Sequence, residues 1–158
     1  MSKIIYTQEN GVIAVVHPSD QSLKEMTIEE IAQRVVPVGI STYSIVDDSV
    51  IPTDRSFRNS WVGVGIGSTS GTTITEDMTK AKELHKAKIR ELRVDKLAAL
   101  DIEYQRATET SADTSAIVAK KQALRDAPAA SGIATAVNTT ELKAQWDTSI
   151  LGSNPYYK

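Results

Sequence analysis

From Thr75 onward the chain holds a helical pattern for more than thirty residues, and no other stretch limits its fold so firmly. At 100° per residue, Met78, Ala81, His85, Ile89, Leu92, Ala99, Leu100, Tyr104 and Ala107 fall along one side, with Lys96 interrupting the stripe. Acids and bases on the other faces nearly cancel, as on a solvated surface laced with i,i+4 pairs. A helix of this length cannot bury its apolar side alone. The stripe must meet a second helix, a β module or another chain. The Ser111–Thr114 cluster breaks the pattern, and a second helix is predicted from Ser115 to Asp126, with Ile117 and Leu124 inward and Pro128 as its stop. The short break predicts an antiparallel helical hairpin over 75–127.

Before residue 70 the pattern is different, with short β-rich runs alternating with turn residues. Lys3–Gln8 and Val12–His17 flank Glu9-Asn10-Gly11, which predicts a β-hairpin with a type I′ turn. Val12–Val16 is apolar on both faces, as in a strand covered from both sides, and Pro18 ends it. Thr27-Ile28-Glu29-Glu30 is a capping box opening a short helix, with Ile28, Ile31, Ala32 and Val35 on one face and Pro37 and Gly39 as stops. Thr42–Val46 is a third strand, ending in an Asp47-Asp48 turn. Residues 1–62 therefore form a β-rich module, and the Gly/Ser/Thr-rich stretch 63–74 is expected to be a flexible linker. Residues 128–158 are expected to be an extended tail, with Thr140 capping a short helix near 141–146. The fold class is α+β: a small N-terminal β-rich module with a short helix, then a helical hairpin and an extended tail.

Aromatics make up only 5% of the 158 residues, so the core rests on Val, Ile, Leu and Ala, and partner subunits are expected to supply part of the stability. A net charge of −2 offers no basic footprint for nucleic acid and no polybasic membrane patch. With no cysteine the chain has neither disulfides nor thiolate chemistry, which suits a reducing cytoplasm. The N-terminus lacks the apolar stretch of a signal peptide, and no run approaches the roughly 18 apolar residues that span a bilayer.

Catalytic and ligand-binding patterns find little support. Gly63-Val-Gly-Ile-Gly67 has the wrong spacing for a dinucleotide loop and lacks the Lys-Ser/Thr pair of a P-loop. His17 and His85 lie in different modules and in no metal-ligand spacing, and His85 is expected to be a packing residue on the helical stripe. Asp47, Asp48 and Asp54 suit turn and cap roles, Asp54 pairing with Arg55 or Arg58, better than acid–base work or cation binding. No G-x-S-x-G elbow supports a nucleophile, and Lys120-Lys121 is a solvated face. The chain is expected to be non-enzymatic, with no cofactor, metal or small-molecule substrate, a small hydrolase using Asp47, Asp48 or His17 being the remote alternative.

Two groups of residues are candidate interface anchors. Arg55, Phe57, Arg58 and Trp61 combine residue types enriched at binding hot spots, though Phe57 and Trp61 at i,i+4 equally suit a lid on the β module. Trp146, Tyr156 and Tyr157 place large aromatics in the tail, where contact with another subunit is expected.

Three passages together carry a family resemblance: Asn10 to Pro18, the segment 45–61, and Ile117 to Pro128, with Glu141-Leu-Lys-Ala-Gln-Trp146 in the same pattern. It is most specific at Val46-Asp-Asp, at Pro52 to Trp61 and at Lys121-Gln-Ala-Leu-Arg-Asp126. The chain resembles small proteins encoded among the tail genes of tailed bacteriophages. Its helical half is also similar to the C-terminal part of tail-fibre assembly proteins, although here Ala127 separates Asp126 from the proline. The resemblance implies a location in the virion tail, after folding in the bacterial host cytoplasm. It implies fibre or baseplate proteins, or further copies of itself, as partners. One reading is a structural subunit at the baseplate or fibre attachment, and the other is an assembly chaperone absent from the finished particle. It transfers no catalytic residue.

Overall fold

The computed structural model describes residues 1–68 and 71–157 and divides into two compact units, Met1–Asp77 and Met78–Lys158. Each has its own core.

In the first unit, β1 (Ser2–Thr7) is the middle strand of an antiparallel sheet between β2 (Ile13–Val16) and β3 (Ser44–Asp47). Ile4 faces Val16 and Ile45 across the ladder, while Ile5 faces Val15 and Ser44. Because side chains alternate, consecutive isoleucines feed opposite cores. Ile5, Ile13 and Val46 pack with Ile51 and Trp61 on one face; Ile4 packs with Ile31 and Ala32 on the other. In β2, Ile13 and Val15 pack on the Ile5 side and Val16 on the Ile4 side, as expected of a strand covered on both sides. The hairpin turn differs from type I′: only Gly11 is left-handed (φ 76°), Gly11 N donates to Gln8 O (2.9 Å), and Asn10 Oδ1 accepts from Val12 N (3.0 Å). This is a type I turn with Glu9 and Asn10 at its centre, closed by a left-handed glycine, and the Asn10 side chain ties down the amide that follows.

Helix α1 (Asp20–Glu25), capped by Ser19, was not legible in the sequence. Helix α2 (Ile28–Val35) carries the expected capping box, with Thr27 Oγ1 accepting from Glu30 N (3.2 Å) and Glu30 Oε2 from Thr27 N (2.8 Å). Val35 faces solvent, and Val36 packs against the core in its place.

The expected linker over 63–74 is a β-hairpin instead. β4 (Trp61–Val64) pairs antiparallel with β5 (Thr73–Glu76), matching Val62 with Thr75 and Val64 with Thr73. Residues 69 and 70, part of the expected linker, lie outside the described residues. The glycines serve geometry rather than flexibility. A Cβ on Gly63 would overlap Ile66 and sit 2.9 Å from Ile13 Cδ1, and one on Gly65 (φ 74°) would sit 2.5 Å from Gly71 O. Ser44 of β3 anchors the turn, accepting from Gly67 N (2.8 Å) and lying 2.8 Å from the Thr72 hydroxyl. The first unit therefore runs through this hairpin to Asp77 rather than ending at residue 62.

The second unit is the expected antiparallel hairpin of α3 (Met78–Glu109) and α4 (Ser115–Asp126). Asp101 pairs with Lys121, and Arg93 Nη1 donates to the carbonyls of Leu124 (3.2 Å) and Arg125 (2.8 Å), placing a cation at the carbonyl end of α4. The stripe along α3 is buried at Ala81, His85 and Ile89, but Leu92 and Tyr104 are exposed. The tail is not extended. It folds as α5 (Ser131–Thr135), α6 (Thr139–Ala144) and α7 (Thr148–Leu151), burying Ile133, Ala136, Leu142 and Leu151. Asn138, not Thr140, caps α6, its Oδ1 accepting from Glu141 N (2.8 Å). Helices of four to six residues are too short to announce themselves by periodicity and form here because they bury side chains.

Candidate functional site

The four candidates of the first unit divide by burial. Asp47 Oδ1 accepts from Ser49 N (3.0 Å) and Asp54 Oδ1 from Ser56 N (3.0 Å), bending the chain after β3 through two Asx turns. These bends swing Phe57 and Trp61 inward, where they are 2% and 0% exposed, while Arg55 and Arg58 stay in solvent. Ser60 Oγ donates to Phe57 O (2.7 Å), fixing the short 3₁₀ turn Arg58–Ser60 between them. Phe57 and Trp61 are therefore the lid of the β module and not interface anchors. The physical reason is the pocket left between Ile5, Ile13, Val46 and Ile51, which Trp61 fills. Trp61 Nε1 is buried with no hydrogen-bond partner among the described residues. Arg55 Nη2 lies 3.4 Å from His17 Nε2, and His17 is held below the ordinary histidine range by desolvation and by Lys3 and Arg55. What remains accessible here is a pair of guanidinium groups.

The second group is mostly an internal cluster. Trp146 is buried, Tyr156 half-buried and Tyr157 exposed. The His85 and Tyr156 rings stack with centroids 5.5 Å apart, and Trp146 meets both edge-on at 6.0 and 6.1 Å. Trp146 Nε1 donates to Gly152 O (3.0 Å), and Asn154 Nδ2 to Lys143 O (3.0 Å), which turns the chain back so that Tyr156 reaches α3. His85 Nδ1 and the Tyr156 hydroxyl share a hydrogen bond of 2.9 Å. Burial drives His85 down to about 4 and Tyr156 up to about 12, so both are neutral near pH 7. His85 is the expected packing residue. Trp146 and Tyr156, expected at a subunit contact, instead close their own unit, because the short helices bring a buried partner to them. Only Tyr157 keeps the exposure an interface anchor needs.

Among the described residues, no group of three His, Asp or Glu is placed to hold a metal ion, and no helix is long and apolar enough to cross a membrane.

The structure also presents apolar residues that the sequence pattern did not single out. Val94, Ala98 and Ile102, at i, i+4 and i+8, form a stripe on the face of α3 opposite Leu100; Val94 and Ile102 are 60% and 51% exposed. Val118 on α4 is exposed as well. The signal was in the sequence, as a second helical stripe, but the longer stripe through Ile89 masked it. No protein-family model, curated protein or solved structure matches the chain.

Proposed function

We propose that this chain is a structural subunit of a bacteriophage tail, at the baseplate or fibre attachment, working through contacts with other tail proteins rather than catalysis. The location comes from the resemblance of the segments around 10–18, 45–61 and 117–128 to phage tail-gene products. The structural observation that carries the contact role is the exposed Val94–Ala98–Ile102 stripe on α3, away from the face that buries Ala81, His85 and Ile89. Two units with separate cores suit a subunit that touches different neighbours through each. Exposed Arg55, Arg58 and Tyr157 are further contact candidates.

Mass spectrometry of purified particles tests the proposal. The chain is expected in the finished particle at a stoichiometry comparable to the other tail proteins. Presence in infected cells with absence from the particle would overturn it in favour of a transient assembly chaperone.

A further inference from the structure

The small net charge of the chain conceals an uneven distribution. Residues 1–77 hold ten acids and five bases, a formal −5, whereas residues 78–158 hold ten acids and thirteen bases, a formal +3. Part of that excess converges on one place. Lys86, Arg90 and Arg93 of α3 and Arg125 of α4 line an open cleft of about 400 Å3, floored by Pro128 and three alanines. No carboxylate is among its lining residues. Glu83 touches the cluster from outside, bonding Lys86 at 2.8 Å, and its carboxyl is held below the usual range first by Lys86 and then by Arg90. Four bases thus line the cleft, one of them paired with Glu83. Arg93 is fixed in place by the two carbonyls ending α4, and the Arg125 side chain makes no hydrogen bond or ion pair among the described residues. Lys86 and Arg90 are a like-charge i,i+4 pair, an arrangement that weakens a helix unless an anion relieves it.

The spacing decides what kind of anion fits. Residues 86 to 93 span roughly 10 Å of helix at 1.5 Å per residue. One phosphate or one carboxylate cannot reach across that distance, but a row of carboxylates can. Acids at alternate positions of an extended segment lie on one side, about 7 Å apart. Three guanidinium groups supply the forked donors that such carboxylates accept in pairs.

We propose that this cleft docks an acidic protein segment, extended and carrying Asp or Glu at alternate positions. The inference rests on the reading that the chain works through protein contacts, and it names the chemistry of one of them.

Fluorescence anisotropy of a labelled peptide of alternating Gly and Asp, titrated with the full chain, tests the proposal. The Asp peptide is expected to bind at low ionic strength, to weaken as salt rises, and to bind far better than the same peptide with Asn for Asp. The double variant Arg90→Gln/Arg125→Gln is expected to lose about tenfold or more in affinity, while Arg34→Gln in the first unit loses none. Circular dichroism confirms that the variants are folded. No binding of the Asp peptide, or equal binding to wild type and the double variant, would overturn the proposal. So would displacement of the peptide by pyrophosphate at lower concentration than by unlabelled peptide, which would make the cleft a site for small phosphates. Detection in purified particles is independent of this titration. Failure of the peptide with the chain present in the virion removes the docking site alone, and binding with the chain absent removes the tail-subunit reading alone.

Discussion

Arg58 and Trp61 sit three positions apart in one segment and play different physical parts. Trp61 is fully buried among Ile5, Ile13, Val46 and Ile51, so Trp61→Ala is expected to cost about 3–5 kcal/mol in urea denaturation of the first unit. Arg58 is exposed, and Arg58→Ala is expected to change that stability by less than about 0.5 kcal/mol. A large loss of stability in Arg58→Ala would show that its guanidinium supports the lid. The sequence made these two equal candidates because composition shows residue type and not direction. The two Asx turns at Asp47 and Asp54 send the aromatics in and leave the arginines out, and Asx geometry depends on backbone angles that a residue string leaves open.

At the scale of elements, what was legible was local. The capping box of α2 needs only Thr27 and Glu30, and the hairpin of α3 and α4 needs only a long periodic stripe, a break and a second stripe. What was not legible depended on partners distant in sequence. The 63–74 stretch has linker composition, yet its glycines are required where Ile66, Ile13 and Gly71 crowd the backbone. The tail helices exist through burial on α3 and through the Trp146–Tyr156–His85 cluster, whose histidine belongs to α3 and lies far from the tail in sequence. Gly65→Ala tests the hairpin. A methyl there meets both a positive φ and a carbonyl oxygen, so a loss of about 1–3 kcal/mol is expected by urea denaturation, and a flexible linker would lose none. The end of α3 offers the opposite case. Ser111 holds φ 53° while Ala112 N donates to Ala107 O (2.8 Å) and Ser111 N to Thr108 O (3.1 Å), a Schellman ending with serine where glycine is at ease. Ser111→Gly is expected to stabilise the second unit by about 1 kcal/mol, read as a higher denaturation midpoint. A lower midpoint would show that the serine side chain offsets its backbone strain.

For the whole molecule, the two tryptophans divide the chain as its cores do, Trp61 buried in the first unit and Trp146 in the second. Trp146→Phe and Trp61→Phe variants therefore let fluorescence follow each unit separately, and two distinct denaturation transitions are expected. Their pH dependence should differ because of His85. Its folded pKa of about 4 lies below the ordinary 6.5, so the unfolded chain takes up a proton first as the solution is acidified. The associated stability is fully present above about pH 6.5 and is lost as pH falls toward 4, a swing of about 3 kcal/mol in the second unit. The depressed carboxyl groups of Glu83, Asp113 and Asp147 act in the same direction, but their losses begin only where ordinary carboxylates titrate, near pH 4.5 and below. Between pH 6.5 and 4.5 the slope of the Trp146 transition is thus the signature of His85, and in a His85→Phe background it should flatten even if the midpoint moves. His17, exposed in the first unit, is replaced by Asn in both backgrounds to keep its own titration out of the Trp61 signal. Parallel pH slopes for the two tryptophans would show that the units unfold together and that the separate cores do not make separate cooperative units.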